Sequence, residues 1–253
     1  DIEISGNVNG SSKLWKIHND GGPGVLKLTG SGAWSGGGTV QIANNAEVLL
    51  ARDTTDNSGF APGVLQLLDG TLRLGNDEQV LNSVDVAYTA IGGAFDLDGN
   101  EETVNTLKFN AGTHTGSLAM GDGGVLRLSN QDDTVTWGTL TIVEWDNGVD
   151  HIYVDGGSFA SNQLAAITFE GYADGAKVEG GELLPAGGLL GFSGWIGDYN
   201  LTGGDEAADA DPDGDEVSNL YEYGLGGDPT NGAVTGTLPA FEVVAQGGTN
   251  VVE

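Results

Sequence analysis

Gly24-Val25-Leu26-Lys27-Leu28, Gly63-Val64-Leu65-Gln66-Leu67 and Gly124-Val125-Leu126-Arg127-Leu128 repeat one pattern, a glycine followed by alternating apolar residues. Looser versions are Gly70-Thr71-Leu72-Arg73-Leu74, Gly93-Ala94-Phe95-Asp96-Leu97 and Gly138-Thr139-Leu140-Thr141-Ile142. Each reads as a turn leading into a short strand with one face to bury. A single unit cannot bury that face, whereas stacked units share a continuous core, so the pattern predicts an all-β repeat fold, a parallel β-helix or β-solenoid. The intervals between copies are irregular. Loops of unequal length on a β-helix would cause this, and so would a β-sandwich, which antiparallel pairing of sequential strands would reveal. Expected inward positions are Val25, Leu26 or Leu28, Leu72, Leu74, Phe95, Leu97, Leu126 and Leu128.

Composition supports the repeat reading. Among 253 residues there are 45 glycines, only 6 prolines and no cysteine. That glycine density without a G-x-y period excludes collagen and indicates many tight turns. With no disulfide or thiolate metal site, stability must come from burial, hydrogen bonds and bound ions. The formal charge of -29 excludes nucleic acid as a partner and disfavours anionic lipid surfaces, while divalent cations would relieve self-repulsion. No stretch approaches the ~20 apolar residues of a membrane span. The chain opens at Asp1 without Met or signal peptide and reads as a processed or excerpted product.

The organisation expected is a solenoid over residues 1–182, a linker over 183–194, a loop module over 195–231 and a C-terminal strand segment over 232–253. A single helical turn is expected near 162–166. Short helices are expected at 195–199 and 217–223, with Trp195, Leu201, Leu220, Tyr221 and Tyr223 as a small core. Phe241-Glu242-Val243-Val244 and Asn250-Val251-Val252-Glu253 read as strands joined through Gln246-Gly247-Gly248.

The module contains Asp211-Pro212-Asp213-Gly214-Asp215-Glu216-Val217-Ser218-Asn219-Leu220-Tyr221-Glu222. Asp211, Asp213 and Asp215 fall at positions 1, 3 and 5 of a calcium loop, the Val217 carbonyl at 7, Asn219 at 9 and the bidentate Glu222 at 12. Oxygen ligands alone suit Ca2+. A frame starting at Asp209 puts Gly214 at position 6 but ends on Leu220, which cannot close a site. The preferred frame places Glu216 where glycine is usual, at a cost of about 1 kcal/mol of backbone strain. Asp96, Asp98, Glu101 and Glu102 are read instead as the outward acids of a half-buried strand.

No catalytic constellation emerges. Lys13, Lys16, Lys27, Arg52, Arg73, Lys108, Arg127 and Lys177 do not cluster with acids, and His18, His114 and His151 lack ligand spacing. No motif selects a carboxylate pair, so the chain is expected not to be an enzyme. Trp34, followed by Ser35 and three glycines, is the tryptophan expected to be exposed, as a stacking platform for surface glycans. Asn9 and Asn200 stand in N-x-S/T contexts and are expected unglycosylated.

Residues 22–51, with Gly24-Val25-Leu26-Lys27-Leu28-Thr29-Gly30 and Trp34-Ser35-Gly36-Gly37-Gly38-Thr39-Val40, resemble the autotransporter-associated β-strand repeat of bacterial surface proteins, as do residues 70–107. Residues 138–185 resemble the closing part of such repeats. The segment from Asp211 through Gly226-Gly227-Asp228-Pro229 is similar to thrombospondin type 3 and dockerin-like calcium repeats. These resemblances imply a right-handed parallel β-helix secreted across an outer membrane, although the chain contains no outer-membrane barrel segment. The resulting expectation is an extracellular or cell-surface structural subunit. Its strand-like ends would pair head-to-tail with further copies of itself into a filament. The alternative is a monomeric adhesin or carbohydrate-binding β-helix.

Overall fold

The computed structural model describes residues 1–6, 8–9, 14–19, 24–31, 34–53, 60–189, 191–237, 243–246 and 249–252. The chain forms two compact units, Asp1–Gly187 and Gly188–Glu253. Phe241, Glu242, Gly247, Gly248 and Glu253, part of the expected terminal strand segment, lie outside the described residues.

The first unit is a parallel β-helix. Its eight-stranded sheet takes one strand from each coil: Ile2–Ile4, Val25–Gly30, Glu47–Arg52, Thr71–Leu74, Ile91–Asp96, Thr115–Ala119, Thr139–Val143 and Ile167–Phe169. Every pair is parallel, with Ile2 opposite Leu26, then Val48, Leu72, Phe95, Leu118, Ile142 and Phe169. One coil therefore consumes 22 to 27 residues. A second sheet of six strands holds Trp34–Ala43, Phe60–Leu67, Asp85–Tyr88 and Thr106–Phe109, with Val8–Asn9 and Leu14–His18 both pairing the long Trp34–Ala43 strand. The third sheet holds Glu101–Val104, Val125–Leu128, His151–Val154, Glu182–Pro185 and Ala176–Glu179. Sequential solenoid strands stack in parallel, so the sandwich alternative does not hold.

The three copies of the opening pentapeptide fall on three different sheets: Val25–Gly30 on the first, Phe60–Leu67 on the second, Val125–Leu128 on the third. Each face buries a branched aliphatic layer, and the same alternation serves all three. Leu28, Leu72, Leu74, Phe95, Leu97, Leu126 and Leu128 are fully buried, while Val25 and Leu26, in the second coil, are half-buried.

Aromatic rings stack at about the spacing of adjacent strands. Trp15, Trp34 and Phe60 meet edge to face at 5.3 Å per step. Tyr88, Phe109, Trp137 and Phe159 continue at 4.9, 5.1 and 5.4 Å. Trp34, expected on the surface, is thus buried, at 3 % exposure. It opens a central strand, and its ring fills the layer between the coils before and after it. Tyr88 is also fully buried and donates its hydroxyl to the Ser117 carbonyl at 2.9 Å.

Buried polar side chains tie one coil to the next. Gln79 Oε1 accepts from the Arg52 amide at 2.7 Å. Glu102 Oε2 accepts from the Gln79 and Val80 amides at 2.7 and 3.0 Å, and its Oε1 from Thr103 at 3.1 Å. Gln131 exchanges two bonds with the Leu107 backbone. Glu102, expected to point outward, is completely buried. The turn at Asp98 and Gly99, both at positive φ, resets the alternation, so that inward residues are odd at Phe95 and Leu97 but even at Glu102 and Val104.

The few cations are spread as cross-links between coils. Arg73 reaches Glu47, Asp96 and Asp98, and Arg127 joins Glu101 to Asp155 while lying 4.4 Å from the Tyr153 ring centroid. After the last coil, Ala176–Glu179 and Glu182–Pro185 form an antiparallel hairpin, and Glu182 also binds His151 Nδ1 at 2.6 Å. Residues 183–194, expected as linker, have structure at both ends. Leu183 is buried in the hairpin, and a helix begins at Gly191.

The expected helical turn is α1 (Ser161–Leu164), whose Gln163 is buried and donates to the Asp132 and Val135 carbonyls. The second unit contains α2 (Gly191–Gly197), a 3-10 turn (Gly203–Glu206) and α3 (Asn219–Leu225). Its strands Val243–Gln246 and Thr249–Val252 pair antiparallel with each other. No helix among the described residues is long and apolar enough to cross a membrane.

Candidate metal centre

Residues 211–218 are folded by their own carboxylates. Asp211 Oδ1 accepts from the Gly214 and Asp215 amides at 2.9 and 3.1 Å, and its Oδ2 from Glu216 at 2.9 Å. Asp213 Oδ1 accepts from Asp215 at 3.3 Å, and Asp215 Oδ1 from Val217 at 2.8 Å. These bonds curl the chain until one oxygen of each of Asp211, Asp213 and Asp215 lies within 4.8 Å of the others. The cluster could hold a metal ion.

Two further predicted ligands come from α3, which Ser218 enters in extended conformation before the chain turns helical. Asn219 is fully buried, and its Nδ2 donates to the Asp205 and Ala207 carbonyls, both at 2.8 Å. With both amide hydrogens engaged, the side chain has one orientation, and Oδ1 is left without a donor. One turn on, Glu222 is also fully buried. Neither of its oxygens makes a well-formed hydrogen bond among the described residues, although the Asp228 amide lies near enough to favour its charged form, nor do Asp213 Oδ2 and Asp215 Oδ2. Five buried acceptor oxygens lack donors, and they belong to loop positions 3, 5, 9 and 12.

Such a set is costly without a cation, because a buried acceptor without a partner forfeits about 1–3 kcal/mol, and more when charged. The electrostatics express the same deficit. Burial, then the Asp213 and Asp215 carboxylates, push Glu222 up to about 7. Asp213 is raised by burial and by Asp215. Only oxygens are offered, which selects a hard cation.

Val217 donates its amide to Asp215 and leads directly into Ser218. Glu216 has φ +72°, as the glycine-preferring position predicts, and Gly214 has φ +76°. Both frames therefore have a left-handed residue at position 6. The ligands separate them: Asp209 is exposed, Leu220 is 51 % exposed, and the donorless oxygens follow the Asp211 frame.

The expected small core is different in composition. Leu220 and Tyr221 are exposed, because burying Asn219 and Glu222 turns the opposite side of α3 to solvent. Trp195 and Tyr223 pack as expected, joined by Phe192 and Tyr199, with centroids 5.0 to 5.9 Å apart. Two contributors escaped the sequence reading. Residues 205–210 clamp α3 through Asn219 and through the Asn219 and Leu220 amides on Ala210 and Ala208. Gly227 packs so closely that a Cβ there would lie 2.8 Å from Glu222 Cβ. The first acts through backbone carbonyls and the second through its lack of a side chain, neither of which ligand spacing picks out.

Fold and site together define a class: a parallel β-helix joined to a small module with an oxygen-lined acidic loop. No protein family, curated protein or solved structure matches this chain.

Proposed function

We propose that the protein is an extracellular structural protein, a non-catalytic β-solenoid whose second unit binds one calcium ion through Asp211, Asp213, Asp215, the Val217 carbonyl, Asn219 and Glu222. The observation that carries the metal reading is the set of five buried, donorless oxygens at the ligand positions. A bidentate closing glutamate and several side-chain oxygens favour the larger, more flexibly coordinated calcium over magnesium. Loops of this kind with modest affinity work where calcium is millimolar, which favours an extracellular setting.

Titration calorimetry of the full chain is expected to give one calcium site that Glu222→Ala abolishes. Equal heat in the variant, or none in the parent, would reject the assignment. Glu216→Gly is expected to tighten calcium binding about fivefold, by relieving about 1 kcal/mol of left-handed strain. An affinity equal to or weaker than the parent's would mean that the strain is not coupled to binding.

For the solenoid, the proposed role is that of a stiff spacer. Head-to-tail growth draws no support from the hairpin, whose outer strand exposes Lys177 and Glu179, charges that discourage strand addition. The strands Val243–Gln246 and Thr249–Val252 already pair with each other. Glycan stacking loses its expected platform with Trp34 buried. Sedimentation of the full chain in calcium separates the readings: concentration-dependent polymers favour the filament, a monomer the spacer or adhesin.

A further inference from the structure

Beside the loop, on the second unit, lies a groove of about 260 Å³ lined by Glu216, Val217, Tyr221, Leu225 and Thr235. Its walls are apolar or aromatic except for the Glu216 carboxylate and the Tyr221 and Thr235 hydroxyls. Tyr221 is 69 % exposed, so its ring is available as a wall.

Glu216 is the informative residue. It occupies a left-handed conformation that glycine would adopt without strain, and the loop uses only its amide, which donates to Asp211 Oδ2. Position 6 supplies no ligand to a calcium loop. Its carboxylate is not among the loop's ligands, and Glu216 lines the groove. The volume lies just below the usual range of small-molecule pockets and is ample for a single long side chain.

We propose that this groove receives a lysine side chain of a basic partner polypeptide. The aliphatic stem would lie on Val217 and Leu225. The ammonium would sit between the Glu216 carboxylate and the face of Tyr221, combining an ion pair with a cation–π contact. The chain's charge of -29 steers a basic partner toward it and repels an acidic one.

The test is titration of the full chain, in calcium and at physiological salt, with a short peptide carrying one central lysine among glycines and alanines. Binding is expected, about tenfold weaker with Glu216→Gln and weaker again with Tyr221→Ala, and lost when the lysine is acetylated. Leu220→Ala and Glu179→Gln, both outside the groove, are expected to bind as the parent does. Glu216→Gln keeps the metal ligands, so it is still expected to bind one calcium ion. A loss of calcium heat in the parent would sink the metal reading while leaving the peptide result to stand or fall alone. The groove proposal is overturned if the peptide does not bind, if the acetylated peptide binds equally, or if Glu179→Gln weakens binding as much as Glu216→Gln, which would mean general attraction to an acidic surface.

Discussion

Gly116→Ala is expected to lower the melting temperature by on the order of 10 °C. An added Cβ would lie 2.1 Å from Tyr88 Cδ1 and 2.4 Å from Cε1, inside the buried ring. Tyr88 cannot yield cheaply, because it stacks on Phe109 at 4.9 Å and its hydroxyl is held by the Ser117 carbonyl. Gly116 cannot retreat either, being paired to Gly93 on one side and Leu140 on the other. Overpacking costs about 1–3 kcal/mol, and losing the hydroxyl's partner adds about 1–3 kcal/mol. Tyr88→Leu in the same chain should recover part of the loss, giving a coupling between the two sites in a double-mutant cycle. A single variant melting within about 2 °C of the parent would mean that the sheet adjusts more easily than its register implies.

Glu102→Gln is expected to reverse its effect with pH. Burial pushes the Glu102 carboxyl up to about 8, partly offset by the Val80 and Gln79 amides, with Glu78 the charged neighbour that raises it further. The unfolded chain releases this proton near the ordinary value of 4.5, whereas the folded chain holds it to about 8. Across that window the folded state binds more protons, so stability falls as pH rises. The contribution is fully present below 4.5 and fully lost above about 8, a change of order 3–5 kcal/mol. Glutamine keeps an acceptor for the Gln79 and Val80 amides but does not ionise. The variant should melt at or slightly below the parent at pH 4 and well above it at pH 8.5. Because many other carboxylates titrate, the measurement is the difference between the two melting curves at each pH. A difference independent of pH would show that Glu102 has an ordinary affinity for its proton.

The strands were legible because glycine followed by alternating aliphatics has one structural use, whichever face of the solenoid it lands on. The coil length was not, because copies that share a sequence do not share a sheet: Val25, Val64 and Val125 occupy three faces. Trp34 was misplaced because its glycine neighbours suggest a loop, whereas they belong to the ten-residue strand Trp34–Ala43. Glu102 was misplaced because alternation was carried across a turn that changes its phase. At the acidic loop the ligand types and spacing could be read directly. The carbonyls that orient Asn219 could not, since any residue type supplies a carbonyl.

Because the strand ladders of the eight-stranded sheet join each coil to the coils before and after it in parallel register, the coil is a unit of length. Strands in a sheet lie about 4.8 Å apart. Removing one coil, for example the residues from Leu72 up to but not including Phe95, which stand in register, would bring Val48 opposite Phe95 but would also take away the Gln79 and Val80 amides that hold the buried Glu102. The eight-stranded sheet is in that sense graduated: each whole coil adds one strand and about 4.8 Å, provided that its buried polar ties to the adjacent coils are matched.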